Sequence, residues 1–348
     1  MKEIYRLFNI QKIDDYNKYT NMFKAENIAC IEDILPSHEI ELYKKNLQLC
    51  NSLILVKDNK NYREKAEKYN FLFNTLLPCK INGLYYRTLL NLEKNETIVN
   101  NIKTFKPSKG YCKKVNYNMF KTMTGRLVNS NLSPRILTLP SRCRKIFESE
   151  WGKGGKIVSI DFKTLEPRLA RKLNNKESSE DIYTELSDLL EYNVDRSIIK
   201  RAVISILYGS EAPLQELSLE RSKAVLNAVK EYFDLEKLLK IADNSTEHGW
   251  RENYFGRPLH NLNETNNNKI VNNYIQSSAV DIALTYFCNL VENINIELCR
   301  PLFIIHDAIV FDVNLDYLTE LELLTEKGYE CSQLGYFPVE LTNLIKEK

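Results

Sequence analysis

Two short runs of apolar, mostly β-branched residues each carry an acid where the pattern asks for another hydrophobe. Residues 304–313 read IIHDAIVFDV. This run is bounded at Pro301 and Asn314 and predicts a strand hairpin with HDA as its tight connection. Residues 156–170 read KIVSIDFKTLEPRLA. Ile157, Val158 and Ile160 predict a strand that delivers Asp161 at its end, and Pro167 suits the first turn of a helix continuing RLARKL. Glu166 precedes that proline, so it is expected to be extended, with its carboxylate at a helix start where the amide dipoles favour negative charge. Between the two runs lies DRSIIKRAVISILYGS, a helical pattern with Asp195 as N-cap and Gly209 as its stop. Upstream, YREKAEKYNFLFNTLL and YRTLLNLEKNETIVNNI carry helical periodicity, and SLILV at 52–56 reads as a strand. Strands and helices are thus both expected along the chain.

Composition narrows the class without choosing a function. The 348 residues can bury a full core, and 27% charged with 43% hydrophobic residues fits a soluble globular protein. Eight cysteines stand at 30, 50, 79, 112, 143, 288, 299 and 331 with no CxxC pair, which excludes a zinc ribbon and fits a reduced, cytoplasmic compartment. No long apolar run predicts a membrane span or a signal peptide. The net charge of +2 hides a strong asymmetry, because Asn101 to Lys145 holds eleven Lys or Arg and no Asp or Glu. Tyr111, Tyr117 and Phe120 are interleaved in that block, and prolines and glycines punctuate it, a pattern suited to a surface that neutralises phosphates.

The acids set the candidate chemistry. An ionised carboxylate inside an apolar run needs a cation, a metal or water. Asp307 alone reads better as an exposed turn residue, and Asp161 alone as a turn or capping residue. Together they offer two carboxylates on strand ends, the way hard cations such as magnesium are held beside phosphate oxygens. On the intervening helix Arg196, Lys200, Ile204 and Tyr208 recur every four residues, each step advancing about 40°, so all four fall within one arc of about 120°. Two cations, an apolar platform and a phenol on one face make a cradle for a triphosphate, a sugar and a base.

Six pieces in order now resemble the polymerase part of family A DNA polymerases. Asp161, Glu166 and Arg168 are similar to the family's first palm motif, the helix from Arg196 to Gly209 to its fingers helix, and His306–Asp307 to its second palm motif. TGRL at 124–127, NNYIQSSAVDI at 272–282 and YFPVEL at 336–341 complete the series. The resemblance covers roughly residues 115–348. It implies an α+β right hand: an antiparallel-sheet palm over 115–182 and 271–348, helical fingers over 183–270, a reduced helical thumb over 59–114, and a small N-terminal segment, 1–58, of unassigned role. It implies that Asp161 and Asp307 bind two Mg2+ ions, that Arg196 and Lys200 hold the triphosphate, and that Lys200 protonates the pyrophosphate. Ile204 and Tyr208 would lie against the incoming nucleotide, and Glu166 with Tyr208 would exclude a ribose 2′-hydroxyl. Arg126, Arg168, Asn272, Gln276 and His306 would contact DNA.

The chain departs from the family pattern at four places: Ile204 replaces an aromatic residue, Ala308 a glutamate, Lys163 a small residue, and Asn268 a basic one beside Lys269. Intervals between the motifs are short, so trimmed fingers are expected. Glu32 and Asp33 read as a surface turn rather than a nuclease motif. The leading expectation is a template-directed DNA polymerase without 3′–5′ proofreading. Its partners would be primer-template DNA and deoxynucleoside triphosphates, with a processivity factor as a candidate partner and a monomer as the expected state. A related single-subunit RNA polymerase is one rival, opposed by Glu166. A nucleic-acid-binding accessory protein that keeps the fold without the chemistry is the other, opposed by the retained aspartates, Arg196 and Lys200. The excess of Lys, Asn and Ile fits an AT-rich genome, such as that of a phage, a plasmid or a low-GC bacterium.

Overall fold

The two acid-bearing runs are neighbours in one four-stranded antiparallel sheet. Its strands are β1 (Gly155–Phe162), β2 (Cys299–Ile305), β3 (Ala308–Asn314) and β4 (Val339–Asn343), in the spatial order β4-β1-β3-β2. The structure is a computed structural model and describes residues 34–45, 60–130, 132–190, 192–210, 212–243, 251–259 and 265–345. The expected strand at 52–56 and the pair Glu32 and Asp33 lie outside the described residues.

β3 is buried along nearly its whole length, which explains why AIVF is a continuous apolar run rather than an alternating one: both faces of the sheet are covered. The register sets Asp161 opposite Ala308 on one side and opposite Glu340 on the other. β2 and β3 form the expected hairpin, with only His306 and Asp307 in the loop and Ala308 already in the strand. Pro301 does not bound β2 but lies inside it, tolerated because β2 is an edge strand whose register shifts between Pro301 and Phe303. The open side of that edge is closed at Ile304, whose N–H donates to the Tyr117 hydroxyl at 2.8 Å while that hydroxyl donates to the Ile304 carbonyl at 2.7 Å.

Helices surround the sheet: α1 (Lys60–Thr75), α2 (Gly83–Leu92), α3 (Glu96–Lys103), α4 (Leu165–Leu173), α5 (Ile182–Asp188), α6 (Arg196–Leu207), α7 (Leu219–Phe233), α8 (Leu235–Ala242), α9 (Asn267–Asn293) and α10 (Leu318–Glu326). The 27-residue α9 is buried around most of its circumference and packs against α1, α4, α6 and α8. A helix buried on most sides is a core helix, and 27 residues give it a length of about 40 Å. Among the described residues no helix is long and apolar enough to cross a membrane. The six described cysteines are all buried and unpaired.

Asp281, wholly buried in the middle of α9, carries a polar network that the sequence pattern did not flag. It accepts hydrogen bonds from the Tyr62 hydroxyl at 2.9 Å and from Asn253 Nδ2 at 2.6 Å. Arg257 donates to the Tyr62 hydroxyl at 2.8 Å and to the Met119 carbonyl at 2.7 Å. Burial pushes the Asp281 carboxyl up, and the Arg257 charge opposes that. The same guanidinium explains the glycine of TGRL: a Cβ on Gly125 would sit 2.5 Å from Arg257 Nη1, and Gly125 has φ of +78°. The network therefore joins α1, α9 and the 251–259 hairpin to the loop that carries Arg126.

Candidate active site

Asp161 sits at the penultimate position of β1 with its Oδ1 buried and without a hydrogen-bond partner. Burial, then the charge of Asp307, then that of Glu340 push its carboxyl up to about 7. Burial also raises Asp307, in the hairpin loop one residue before the Ala308 that faces Asp161. His306 has φ of +58°, so the two-residue loop turns with positive φ at its first position only. Histidine tolerates this region better than most side chains, and a backbone held there is a feature of sites where geometry matters. An orphaned buried oxygen and two mutually repelling acids fit a divalent cation, whose remaining ligands would be phosphate and water. Among the described residues no group of three His, Cys, Asp or Glu is gathered into a protein-only cage.

Glu340 escaped the sequence reading. Directly opposed residues in an antiparallel pair share a face, so Asp161, Ala308 and Glu340 lie in one row across three strands. The signal for Glu340 was its alternation within FPVEL, but only strand pairing shows which residue it meets.

The α6 face is as the spacing predicts. Asp195 caps the helix by accepting from Ser197 N, and Gly209 follows the C-cap with φ of +78°. Gly209 also allows close approach to α9, because a Cβ there would come within 2.9 Å of the Asn268 Cβ. Arg196, Lys200, Ile204 and Tyr208 are all exposed, while Ile199, Val203 and Ile206 turn to the core. Ile204 keeps 43% of its surface in solvent, so it does not pack inward. Arg196 is paired with Asp181: its Nε donates to Oδ2 at 2.8 Å and Nη2 to Oδ1 at 3.2 Å. That hydrogen bond holds the Asp181 carboxyl down at about 2.

Glu166, Tyr208 and Arg126 meet. Arg126 Nη2 donates to Glu166 Oε1 at 2.9 Å and to the Tyr208 hydroxyl, its guanidinium carbon lies 5.3 Å from the Tyr208 ring centroid, and the Tyr208 hydroxyl donates to Glu166 Oε1 at 3.3 Å. Burial pushes Glu166 up while Arg126 opposes it. The expectation that Glu166 is extended is corrected, since it lies in the first turn of α4. Thr164 turns the chain with φ of 55° and ψ of 51°, and the missing N–H of Pro167 falls among first-turn donors that have no intrahelical partner.

Arg168 and the aromatics of the basic block already have partners within the chain. Arg168 is only 7% exposed and acts within the chain, its Nε donating to the Lys163 carbonyl at 2.9 Å and Nη2 to the Glu180 carbonyl at 2.6 Å. It braces the turn after β1. The aromatics of the basic block are likewise committed: Tyr117 is buried against Ile304, Tyr111 donates to Glu150 at 2.6 Å, and Phe120 lies under Arg257. The cations of the block fare differently, and Lys103, Lys106, Lys109, Lys113, Lys121 and Arg135 are exposed. Arg142 pairs with Glu93 at 2.8 Å. His306 is exposed, Asn272 half-buried, and Gln276, one turn further along α9, is 8% exposed. The start of α9 lies beside the TGRL loop, where Asn273 Nδ2 is 4.0 Å from Met123 Sδ.

Comparison with known proteins gives a consistent picture. The family model for DNA polymerase family A matches residues 41–342. Among solved structures, the chain is similar to the POL domain of Pol1 from M. smegmatis, in complex with DNA primer-template and dNTP. That match has 19% identity and a TM-score of 0.54, and it covers 70% of this chain and 50% of the other. The likeness is one of fold, and the chain spans about half the length of that structure. No curated protein matches the chain.

Proposed function

The chain belongs to DNA polymerase family A, and on that premise we propose that it is a template-directed DNA-dependent DNA polymerase extending a primer 3′ end. The observation that carries the reading is the pair Asp161, near the end of β1, and Asp307, in the hairpin loop one residue before the neighbouring β3, with a buried Asp161 carboxylate oxygen left without a partner. Two magnesium ions held by these carboxylates would supply charge neutralisation and activation of the primer hydroxyl. The chain's own groups do the rest. Lys200 and Arg196 neutralise the triphosphate, and Lys200 gives a proton to the leaving pyrophosphate. Phosphoryl transfer asks mainly for such positioning and electrostatic stabilisation. Glu166, tied to Tyr208 and Arg126, closes the space beside C2′ of the incoming sugar and selects deoxynucleotides. Asn272, Gln276, His306 and the exposed basic residues of 101–145 are the DNA-contacting set, and Arg126 joins them when DNA draws it from Glu166.

In this reading residues 115–182 and 271–348 form the palm, 183–270 the fingers and 59–114 the thumb. The enzyme acts in the cytoplasm as a monomer, aided by a processivity factor, and does not excise mismatched 3′ ends. A primer-extension assay with magnesium tests it. Deoxynucleotides should be added in strong preference to ribonucleotides, and Asp161→Asn or Asp307→Asn should abolish extension while DNA affinity stays nearly intact. Extension with equal use of ribonucleotides would favour an RNA polymerase, and DNA binding without any extension would favour an accessory role. A labelled mismatched primer should stall without loss of nucleotides from its 3′ end.

A further inference from the structure

Arg196 does not wait for nucleotide as a loose cation. Its guanidinium is gripped side-on by Asp181, with Nε on Oδ2 at 2.8 Å and Nη2 on Oδ1 at 3.2 Å, and its carbon lies 5.0 Å from the centroid of the Tyr183 ring. Asp181 is itself fixed. As the N-cap of α5 its Oδ1 accepts from Tyr183 N at 3.0 Å and its Oδ2 from Thr184 Oγ1 at 3.0 Å, so each oxygen serves the cap and the guanidinium together. Tyr183 is anchored too, being buried at the start of α5. The grip uses one edge of a planar fork that carries five N–H donors, and leaves both donors of Nη1 and one of Nη2 on the other edge.

We propose that Asp181 and Tyr183 are positioning residues that preset Arg196 as a phosphate anchor, holding one edge of its guanidinium so that the other receives the triphosphate. The inference rests on the reading that Arg196 binds the triphosphate. Charge alone argues for the opposite, a latch in which Asp181 competes with phosphate and must let go. Geometry decides between them. A side-on pair on a capped helix end keeps the outer edge clear, and the exposed pair is screened by water, so its repulsion of a phosphate is weak. An exposed arginine otherwise samples many rotamers, and ordering it is then a cost of binding.

The test is steady-state kinetics of the full chain on a primed template with Asp181→Asn and Asp181→Ser. Both keep a side-chain cap for α5 but lose the charged two-point grip. Thermal unfolding reports that the variants are folded, and Asp181→Ser serves if Asp181→Asn is not. The KM for deoxynucleotide should rise about three- to tenfold, the scale of ordering one long side chain, with kcat within about twofold of the parent. In an Arg196→Ala background the same substitutions should change nothing further, which a merely structural role of Asp181 would not produce. A lowered KM would show a latch and overturn the proposal, and so would an unchanged KM while Arg196→Ala raises it. An unchanged KM in Arg196→Ala itself would overturn the triphosphate reading and take the proposal with it.

Discussion

At the Asp161 carboxyl, burial and the facing acids Asp307 and Glu340 work against ionisation, and this has a measurable sign. An unfolded aspartate titrates near about 3.9, whereas the folded group does so at about 7. Between those values the folded state holds the extra proton, so stability falls as pH rises from about 4 to 7 and the penalty is complete above that range. In EDTA, Asp161→Asn should therefore unfold at a higher temperature than the parent at pH 8, with the gap closing toward pH 4; a gap independent of pH would contradict this. On the proposed reading magnesium would bind the ionised form, so its stabilising effect on the parent should grow across the same window. Ile204 offers a second test at this scale. It is exposed between Lys200 and Tyr208, where an aromatic ring would add contact with the nucleotide. Ile204→Phe should lower the deoxynucleotide KM, by about tenfold at most, without loss of thermal stability. An unchanged or raised KM in the folded variant would mean that this side chain does not touch the nucleotide.

The hairpin that presents His306 and Asp307 depends on a partner far away in sequence. The Tyr117 hydroxyl pairs both outward backbone groups of Ile304, two residues before the turn. Tyr117→Phe would leave an edge N–H and C=O without protein partners and should cost about 1–3 kcal/mol in chemical denaturation. The turn would loosen with the edge, so kcat should fall while DNA affinity stays close to the parent's. Wild-type stability and turnover in this variant would show that water replaces the hydroxyl without penalty. The elements themselves were largely legible: the hairpin, β1 and α6 with its Asp195 cap and Gly209 stop follow from signals a few residues long. The helical assignment of Glu166 was not, because the bias of a residue before proline away from helix yields to the turn that Thr164 sets and to packing of the α4 face.

Across the whole molecule the basic block of 101–145 stays at the surface, mostly as exposed Lys and Arg, although its acid-free stretch borrows Glu93 for Arg142 and Arg126 reaches Glu166. Duplex affinity should fall steeply with salt, the logarithmic slope growing by about 0.9 for each phosphate neutralised. Charge reversal at Lys109 and Lys113 should flatten that slope, and an unaltered slope would remove the block from DNA binding. Residue order alone determined the acids Asp161 and Asp307, the cationic arc of α6 and the order of the family motifs, because each is encoded by local spacing that needs no distant partner. Only the tertiary structure decided that Glu340 stands in the row with Asp161, that Asp181 grips Arg196, and that Asp281 joins α1, α9 and the Arg126 loop. These are pairings across many residues of chain, made when buried or aligned polar groups must find partners, and nothing in the local pattern says which partner is found.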